Sequence, residues 1–388
     1  MSTLKYKAPS PYTLKAPPPP TEDVTYYEHL KDLNLSGNSE AQVFGVAVFG
    51  IGRAGTIHIT NLVKNRRGKI LYVVDDDKEK LLKVKNYFNL LQVEFITSAE
   101  QSTVFTDPNV RYIVCASPTY THEDIITEAL KSNKAVFCEK PIAETIEQSR
   151  TLFELAEKVN QPLFSAFNRR FDPTYAAIRE RVKQGEVGKV LTVKVSSRDS
   201  PLPSLAYLKI SGGIFHDCAV HDIDQVISIL GEYPTKVSAI AHANIPEIDE
   251  IDDVDTVAIV LSFDSGAIGI IDLSRQCVYG YDQRLEVFGE KGMLKTENRA
   301  PVQTIEKYTH ESVKRAPIYY SFASRYEEAY RIEMEHYLDV LEGKCKLLVE
   351  GRDLLAVSKI ATAAEESYRE GKLVELEWNT NELPSAQV

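Results

Sequence analysis

A lysine closing a short apolar run, an aspartate and a histidine four residues apart, and a glycine-rich turn are the parts of this sequence that could do chemistry. Lys140 follows the apolar stretch 135–138 and precedes Pro141. Strand C-termini in parallel sheets open on ligand crevices, so its ammonium can be aimed at a substrate hydroxyl. Taken alone, such a lysine would be a surface ion-pair residue. Pro141 makes a cis peptide possible at this bond. Asp217 and His221 have the spacing that puts two side chains on one helical face. Imidazole is the side chain best matched to proton transfer near neutrality, and oxidation of an alcohol needs a base for the hydroxyl proton as hydride leaves carbon. The carboxylate is expected to orient the ring and stabilise its charged form. The plainer reading is a first helical turn with capping carboxylates, and Asp222 and Asp224 are expected to be solvated or structural. His216, His242 and His336 carry no functional signal.

The turn is Gly50-Ile51-Gly52-Arg53-Ala54-Gly55. It directly follows a β-branched apolar run and opens a helical stretch, the context that gives a Gly-x-Gly-x-x-Gly motif meaning. Gly50 permits the tight turn, Gly52 lets backbone N–H groups approach a pyrophosphate, and Gly55 allows close helix–strand packing. The helix N-terminus adds unpaired donors and positive potential. Asp75, 20 positions after Gly55, stands where a carboxylate can accept from the adenosine ribose hydroxyls and repel a 2′-phosphate. The cofactor expected is therefore NAD.

These residues need elements to position them. Runs at 43–49, 70–74, 110–115 and 135–138 read as buried strands, with helices after the glycine turn and over 123–131. Such alternation predicts a parallel, doubly wound sheet. Beyond about residue 164, a strand candidate at 190–196 and a helix over 213–230 precede two hairpins, 256–263 with 267–272 and 285–288 with 293–296. The fold class expected is α/β, an N-terminal Rossmann sheet followed by an α+β domain with an open, largely antiparallel sheet. The expected domains are a flexible Pro-rich extension over 1–40, a NAD-binding domain over 41–164, and a substrate-binding and oligomerisation domain over 165–388. Its C-terminal helices, including one at about 353–368, should pack back toward the first domain.

Composition removes several function classes. A formal net charge of −11 over 388 residues argues against nucleic acid as a partner. No apolar run reaches the roughly 20 residues that span a bilayer, so no membrane partner is expected. The N-terminus lacks the apolar core of a secretory signal. The five cysteines are scattered and mostly set in apolar segments. Neither CxxC spacing nor a Cys/His cluster predicts a metal, so they read as buried, reduced thiols of a cytoplasmic protein.

The glycine turn with His58, followed by Glu139-Lys140-Pro141, resembles the glucose–fructose oxidoreductase and inositol dehydrogenase family (Gfo/Idh/MocA). Residues 166–173 (Ala-Phe-Asn-Arg-Arg-Phe-Asp-Pro), Ser197-Arg198-Asp199, the segment 212–221 and Tyr279-Gly280-Tyr281-Asp282-Gln283-Arg284 narrow the likeness to its inositol-oxidising branch, over roughly 43–370. The resemblance implies that Lys140 and Asp217 hold the substrate, that His221 is the general base, and that Arg169, Asp199, Tyr279 and Tyr281 line a polyol pocket. It further implies that Ser117, Pro118, His122 and Glu139 flank the nicotinamide half of NAD, and that the open sheet builds a homo-tetramer. The implied reaction is oxidation of myo-inositol to 2-keto-myo-inositol (scyllo-inosose). Two other readings stay open: a dehydrogenase for another cyclitol or sugar, such as scyllo-inositol or an aldose, and a non-catalytic NAD-sensing regulator of the same fold. The Pro-rich extension departs from the family pattern, and Ser197 stands where some relatives carry a polar ring.

Overall fold

The computed structural model describes residues 42–299, 305–379 and 382; the extension expected over 1–40 lies outside them. Strand and helix alternate through the first half: β1 (Phe44–Phe49), α1 (Arg53–Lys64), β2 (Gly68–Val74), α2 (Lys78–Tyr87), β3 (Glu94–Ile96), β4 (Val110–Cys115), α3 (His122–Lys131), β5 (Ala135–Glu139), α4 (Ile146–Val159) and β6 (Leu163–Ala166). All six strands are parallel, in the order β3-β2-β1-β4-β5-β6. The order reverses between β1 and β4, and ligands of such sheets bind in the crevice outside the strand ends at that switch point. The strands form because they are almost unbroken apolar runs covered on both faces. In β1 every residue but Gly45 is buried, and β4 and β5 are buried nearly throughout.

The second half is built on a seven-stranded sheet. Its strands are β7 (Val190–Arg198), β8 (Lys236–His242), β9 (Thr256–Ser262), β10 (Ile268–Ser274), β11 (Asp282–Gly289) and β12 (Gly292–Thr296), with β15 (Val374–Glu375) at one edge. The order is β12-β11-β7-β10-β9-β8-β15. Neighbours run antiparallel except β7 and β10, which are parallel. A small ribbon pairs β13 (Lys307–Tyr308) with β14 (Val313–Lys314). Helix α5 (Pro173–Lys183) starts on Asp172, whose carboxylate accepts from the backbone N–H groups of Thr174 and Tyr175. Helix α6 (Val220–Leu230) lies on the buried face of the sheet against β7 and β10. Two later helices, α7 (Glu327–Leu341) and α8 (Gly351–Glu370), join the halves. The first packs on α1, and the second packs on β8 and α6 and also on α4 and β6. The other face of the sheet is open, and alternation along β9 and β10 leaves Val260 and Ile268 exposed there.

One expectation needs correction here, and one alternative is resolved. Residues 213–230 do not form one regular helix, because Phe215–Ala219 makes a π turn ahead of α6. Of the two roles left open for Asp222 and Asp224, solvated or structural, they take the structural one: both are fully buried. Arg169 donates to Asp222. Arg170 donates through Nε and Nη2 to Asp224 (3.0 and 2.6 Å) and through Nη1 to Asp353 on α8 (2.9 Å). A charge is stable in an interior only when paired and hydrogen-bonded, and the two consecutive arginines supply that pairing.

Candidate active site

The glycine turn joins β1 to α1 at the sheet's switch point. Gly50 sits at φ +85°, and a Cβ there would fall 2.5 Å from Ala116 O and from the backbone of Ser117. The turn is thus pressed against the end of β4 in a conformation that favours glycine. A Cβ on Gly55 would lie 2.0 Å from Gly50 O, so α1 closes directly on the turn. At Gly52 nothing lies within 4 Å of a Cβ position, and no side chain caps α1. That open space over uncapped helix N–H groups fits the pyrophosphate of a dinucleotide. Asp75 Oδ2 accepts from Ile51 N (2.9 Å) and Oδ1 from Asp77 N (2.9 Å). Each oxygen keeps a lone pair for a ribose hydroxyl, since an ionised carboxylate offers about four acceptor sites. Arg53 leaves the turn toward the second half of the chain, with its guanidinium over the rings of Tyr207 and Phe322 (5.3 and 5.2 Å).

At the end of β5, Lys140 crosses to the π turn. Its Nζ donates to the backbone O of Asp217 (2.6 Å) and to Asp217 Oδ1 (3.1 Å); the Lys140–Pro141 peptide is cis. Asp217 also accepts from Tyr207 OH (2.9 Å, Oδ1) and Arg275 Nη1 (2.7 Å, Oδ2). Arg275 is fully buried and reaches Asp253 as well (3.3 Å). Burial would raise the Asp217 carboxyl, but the charges of Lys140 and Arg275, with bonds from Arg275 and Tyr207, hold it well below the usual carboxylate range. It is ionised at any working pH.

His221 stands one turn on, in α6, with its ring edge-on to Phe167 (6.0 Å). The carboxylate does not orient it as expected: the bonds of Asp217 go to Lys140, Tyr207 and Arg275, and His221 Nδ1 is buried with no protein partner. The π turn swings Asp217 toward Lys140 instead. Burial, then the charges of Lys140 and Arg169, push the imidazole well below its ordinary pKa, with Asp217 opposing only in part. The ring is therefore neutral, the state a proton acceptor requires.

Around this centre the other expected pocket residues fall into two groups. Arg169, buried beside the ring, bonds Ser197 Oγ and Tyr281 OH (3.4 Å each) as well as Asp222. Asp199 is raised by burial and by Asp217. These residues and Tyr281 are brought together with Lys140, Asp217 and His221. Tyr279 is not tied to them, since it is half exposed and its OH donates to Asp282 Oδ2 (2.6 Å).

On the nicotinamide side, Ser117 Oγ pairs with Thr121 Oγ1 (2.7 Å) and Pro118 is exposed. Glu139 holds His58 Nε2 of α1 (2.7 Å). His122 is buried, both ring nitrogens face backbone carbonyls, Pro141 O (2.8 Å) and Ser117 O (2.9 Å), and Cys138 Sγ lies 3.4 Å from Nδ1. It braces the loop that follows β4 against the one that follows β5. A Cys/His cluster, which spacing had excluded, is also present: Cys115, Cys138 and His122 converge, each from a different element.

Arg275, Tyr207 and Tyr326 escaped the sequence reading. Arg275 follows the apolar strand β10 directly, the same strand-end signal that marked Lys140, and could have been found that way. Tyr207 and Tyr326, the latter under the Arg169 guanidinium (5.6 Å), carry no such signal.

A dinucleotide turn and a lysine at strand ends of one sheet, faced by an ionised aspartate and a neutral histidine from the second half of the chain, define an oxidoreductase of the nicotinamide-dependent class. Residues 44–167 match the model of an oxidoreductase family with an NAD-binding Rossmann fold, and residues 175–295 match the GFO/IDH/MocA C-terminal domain. The chain is 37% identical to the myo-inositol 2-dehydrogenase of Thermotoga maritima, over 86% of this chain and 98% of the relative. It is 32% identical to the scyllo-inositol 2-dehydrogenase (NAD(+)) of Bacillus subtilis, over 85% and 96%. A solved myo-inositol dehydrogenase from Corynebacterium glutamicum superposes with a TM-score of 0.79 at 33% identity, covering 87% of this chain and all of that one. The protein belongs to the Gfo/Idh/MocA oxidoreductase family.

Proposed function

We propose that this protein oxidises a ring hydroxyl of myo-inositol to the ketone 2-keto-myo-inositol, with residues 41–164 holding NAD and residues 165–388 holding the polyol. Gly50, Gly52 and Asp75 would hold NAD, which would supply the hydride acceptor. The observation that carries the reading is the Lys140–Asp217 pair beside the neutral ring of His221. Lys140 spends two of its three donors on Asp217. The third is left for the reacting oxygen, where a fixed ammonium stabilises developing alkoxide charge. His221 takes the hydroxyl proton. Because Lys140 and Arg169 disfavour its charged form, the ring gives that proton up readily after each turnover. Arg169, Asp199 and Tyr281 are placed to pair with the remaining hydroxyls, each of which needs a partner once buried.

The test is the rate of NADH formation with purified protein, NAD and a panel of inositol isomers and hexoses. Myo-inositol should give the highest kcat/KM. A scyllo-inositol preference is the second reading, favoured by the likeness to the B. subtilis enzyme; NADH from aldoses alone would dismiss both. In Lys140→Ala, kcat should fall and KM rise together, since the lysine touches both ground state and alkoxide, and an unchanged kcat would make it a structural residue.

Cofactor choice follows from Asp75. In NADP a phosphate of up to two negative charges would meet this carboxylate, and like charges a few ångströms apart cost on the order of several kcal/mol at intermediate dielectric. The wild type should prefer NAD strongly, and Asp75→Ser less so, in the ratio of kcat/KM values for the two cofactors. Equal use of both by the wild type would place the carboxylate away from the ribose.

The same reading extends to assembly and location. Met293, Phe288, Ile268, Val260 and Ile240 stand exposed along the open face of the second sheet, and the strand register sets Met293 beside Phe288. Exposed apolar patches of this kind mark interfaces, so the sheet is proposed to pair with its copies in a homo-tetramer. Free thiols suit a reducing cytoplasm.

A further inference from the structure

Cys115 and Cys138 end adjacent parallel strands as register partners. In-register neighbours point to the same side of a sheet, and parallel strands lie about 4.8 Å apart. That separation falls within the roughly 4.4–6.8 Å between Cα atoms that a disulfide spans. Both thiols are fully buried, yet Cys115 is followed directly by half-buried Ala116 and Ser117, and Cys138 by half-buried Glu139 and Lys140. The pair therefore lies just under the floor of the nicotinamide side of the crevice.

The third member of the cluster sets their chemistry. Both nitrogens of His122 lie within hydrogen-bonding distance of backbone carbonyl oxygens, and a carbonyl only accepts. Both nitrogens must carry hydrogen for both bonds to form, which makes the ring an imidazolium. A buried cation requires a buried counter-charge. The candidates are the two sulfurs, which lie with a His122 ring nitrogen all within 4.8 Å of one another. Cys138 Sγ is 3.4 Å from His122 Nδ1 but donates to Glu139 O (3.1 Å), a bond that needs its hydrogen, so the charge falls to Cys115. Glu139, the next carboxylate along β5, is taken up by His58. A metal ion would have to displace one of the carbonyl bonds, whereas a thiolate satisfies the ring as it stands.

We infer that Cys115 is a thiolate paired with His122, and that hydrogen peroxide converts it and Cys138 into a disulfide that reversibly switches the enzyme off. The directions of titration agree. Burial would raise the Cys115 thiol, but a bond from Cys138 and the charge and bonds of His122 bring it well below its ordinary value. Burial likewise opposes charge on His122, and the neighbouring sulfur with the two carbonyls raises it to about 9. Cys138 is pushed up by burial and by Cys115, so it stays protonated. The thiolate attacks one peroxide oxygen, forming an S–O bond as the O–O bond breaks, and leaves a sulfenic acid and, with one proton, water. Cys138 sulfur then displaces that hydroxyl, and the S–S bond forms as a second water leaves. Sulfur loses two electrons overall and peroxide gains them. Once oxidised, the pair no longer compensates His122. The ring must then shed a proton and one of its two carbonyl bonds, loosening Ser117 or Pro141 beside the cofactor.

The test treats the full-length enzyme with hydrogen peroxide at neutral pH and follows NADH formation and non-reducing peptide maps together. Activity should fall and return with dithiothreitol, in step with a Cys115–Cys138 linked peptide. In Cys115→Ser, measured against its own untreated rate, the reversible loss should slow by about tenfold or more, because the thiolate is the reacting form. Inactivation without the linked peptide, as by oxidation of Cys218, would overturn the inference, and so would the linked peptide with full activity. The peptide map of the wild-type protein is read whichever polyol is the substrate, and it does not depend on a variant folding.

Discussion

Replacing His221 by alanine is expected to lower turnover on the order of 10²–10⁴-fold, the usual cost of removing a general base, while NAD binding stays close to the parent value. The ring belongs to the first turn of α6, whereas the dinucleotide would be held by the glycine turn between β1 and α1, so its loss should register in the chemical step. The pH profile carries a second signature. Burial and the Lys140 and Arg169 charges lower the imidazole pKa, so the active, neutral form persists as pH falls through 6.5, the value for a free histidine. Polyol oxidation should thus show no histidine limb near that pH in the wild type, and activity should drop only below the depressed pKa. Steady-state kcat/KM across pH, with NAD affinity from fluorescence titration, checks both statements. Turnover unchanged in His221→Ala would remove the ring from the chemistry.

The second large effect belongs to Arg275. Its guanidinium is fully buried and bridges Asp217 and Asp253. In Arg275→Met both carboxylates lose a buried partner, and breaking such a pair from one side typically costs about 3–5 kcal/mol. Asp217 would also lose much of what holds its pKa down, leaving Lys140 less firmly placed. The urea midpoint should fall by a corresponding amount with little change in slope, and KM for the polyol should rise. Wild-type stability with wild-type KM would mean that the arginine is replaceable packing.

The parallel sheet was legible because its strands are buried on both faces and so read as plain β-branched runs, and because the glycine turn falls where β1 meets α1. Lys140 was legible from its place at the end of a strand. What escaped lies in long-range pairing. Asp222 and Asp224 look like surface carboxylates in a local window, since charged residues are seldom buried without a partner; their partners are 53 and 54 positions away. The i+4 spacing of Asp217 and His221 suggested that one residue serves the other. The π turn at Phe215–Ala219 redirects Asp217 to a lysine 77 positions distant. No hydrophobic period announces such a turn. The Cys115–His122–Cys138 cluster escaped for the same reason, as neighbouring strands and a helix bring together residues whose spacing follows no ligand motif.

The reading as a whole stands on one transfer, that of hydrogen from carbon 2 of myo-inositol to NAD. Myo-inositol deuterated at that carbon, incubated with the enzyme and NAD, should give deuterated NADH and scyllo-inosose, with turnover no faster than for the unlabelled substrate. NADH without deuterium would move the reaction to another carbon, and absence of NADH altogether would show that the polyol is not the substrate.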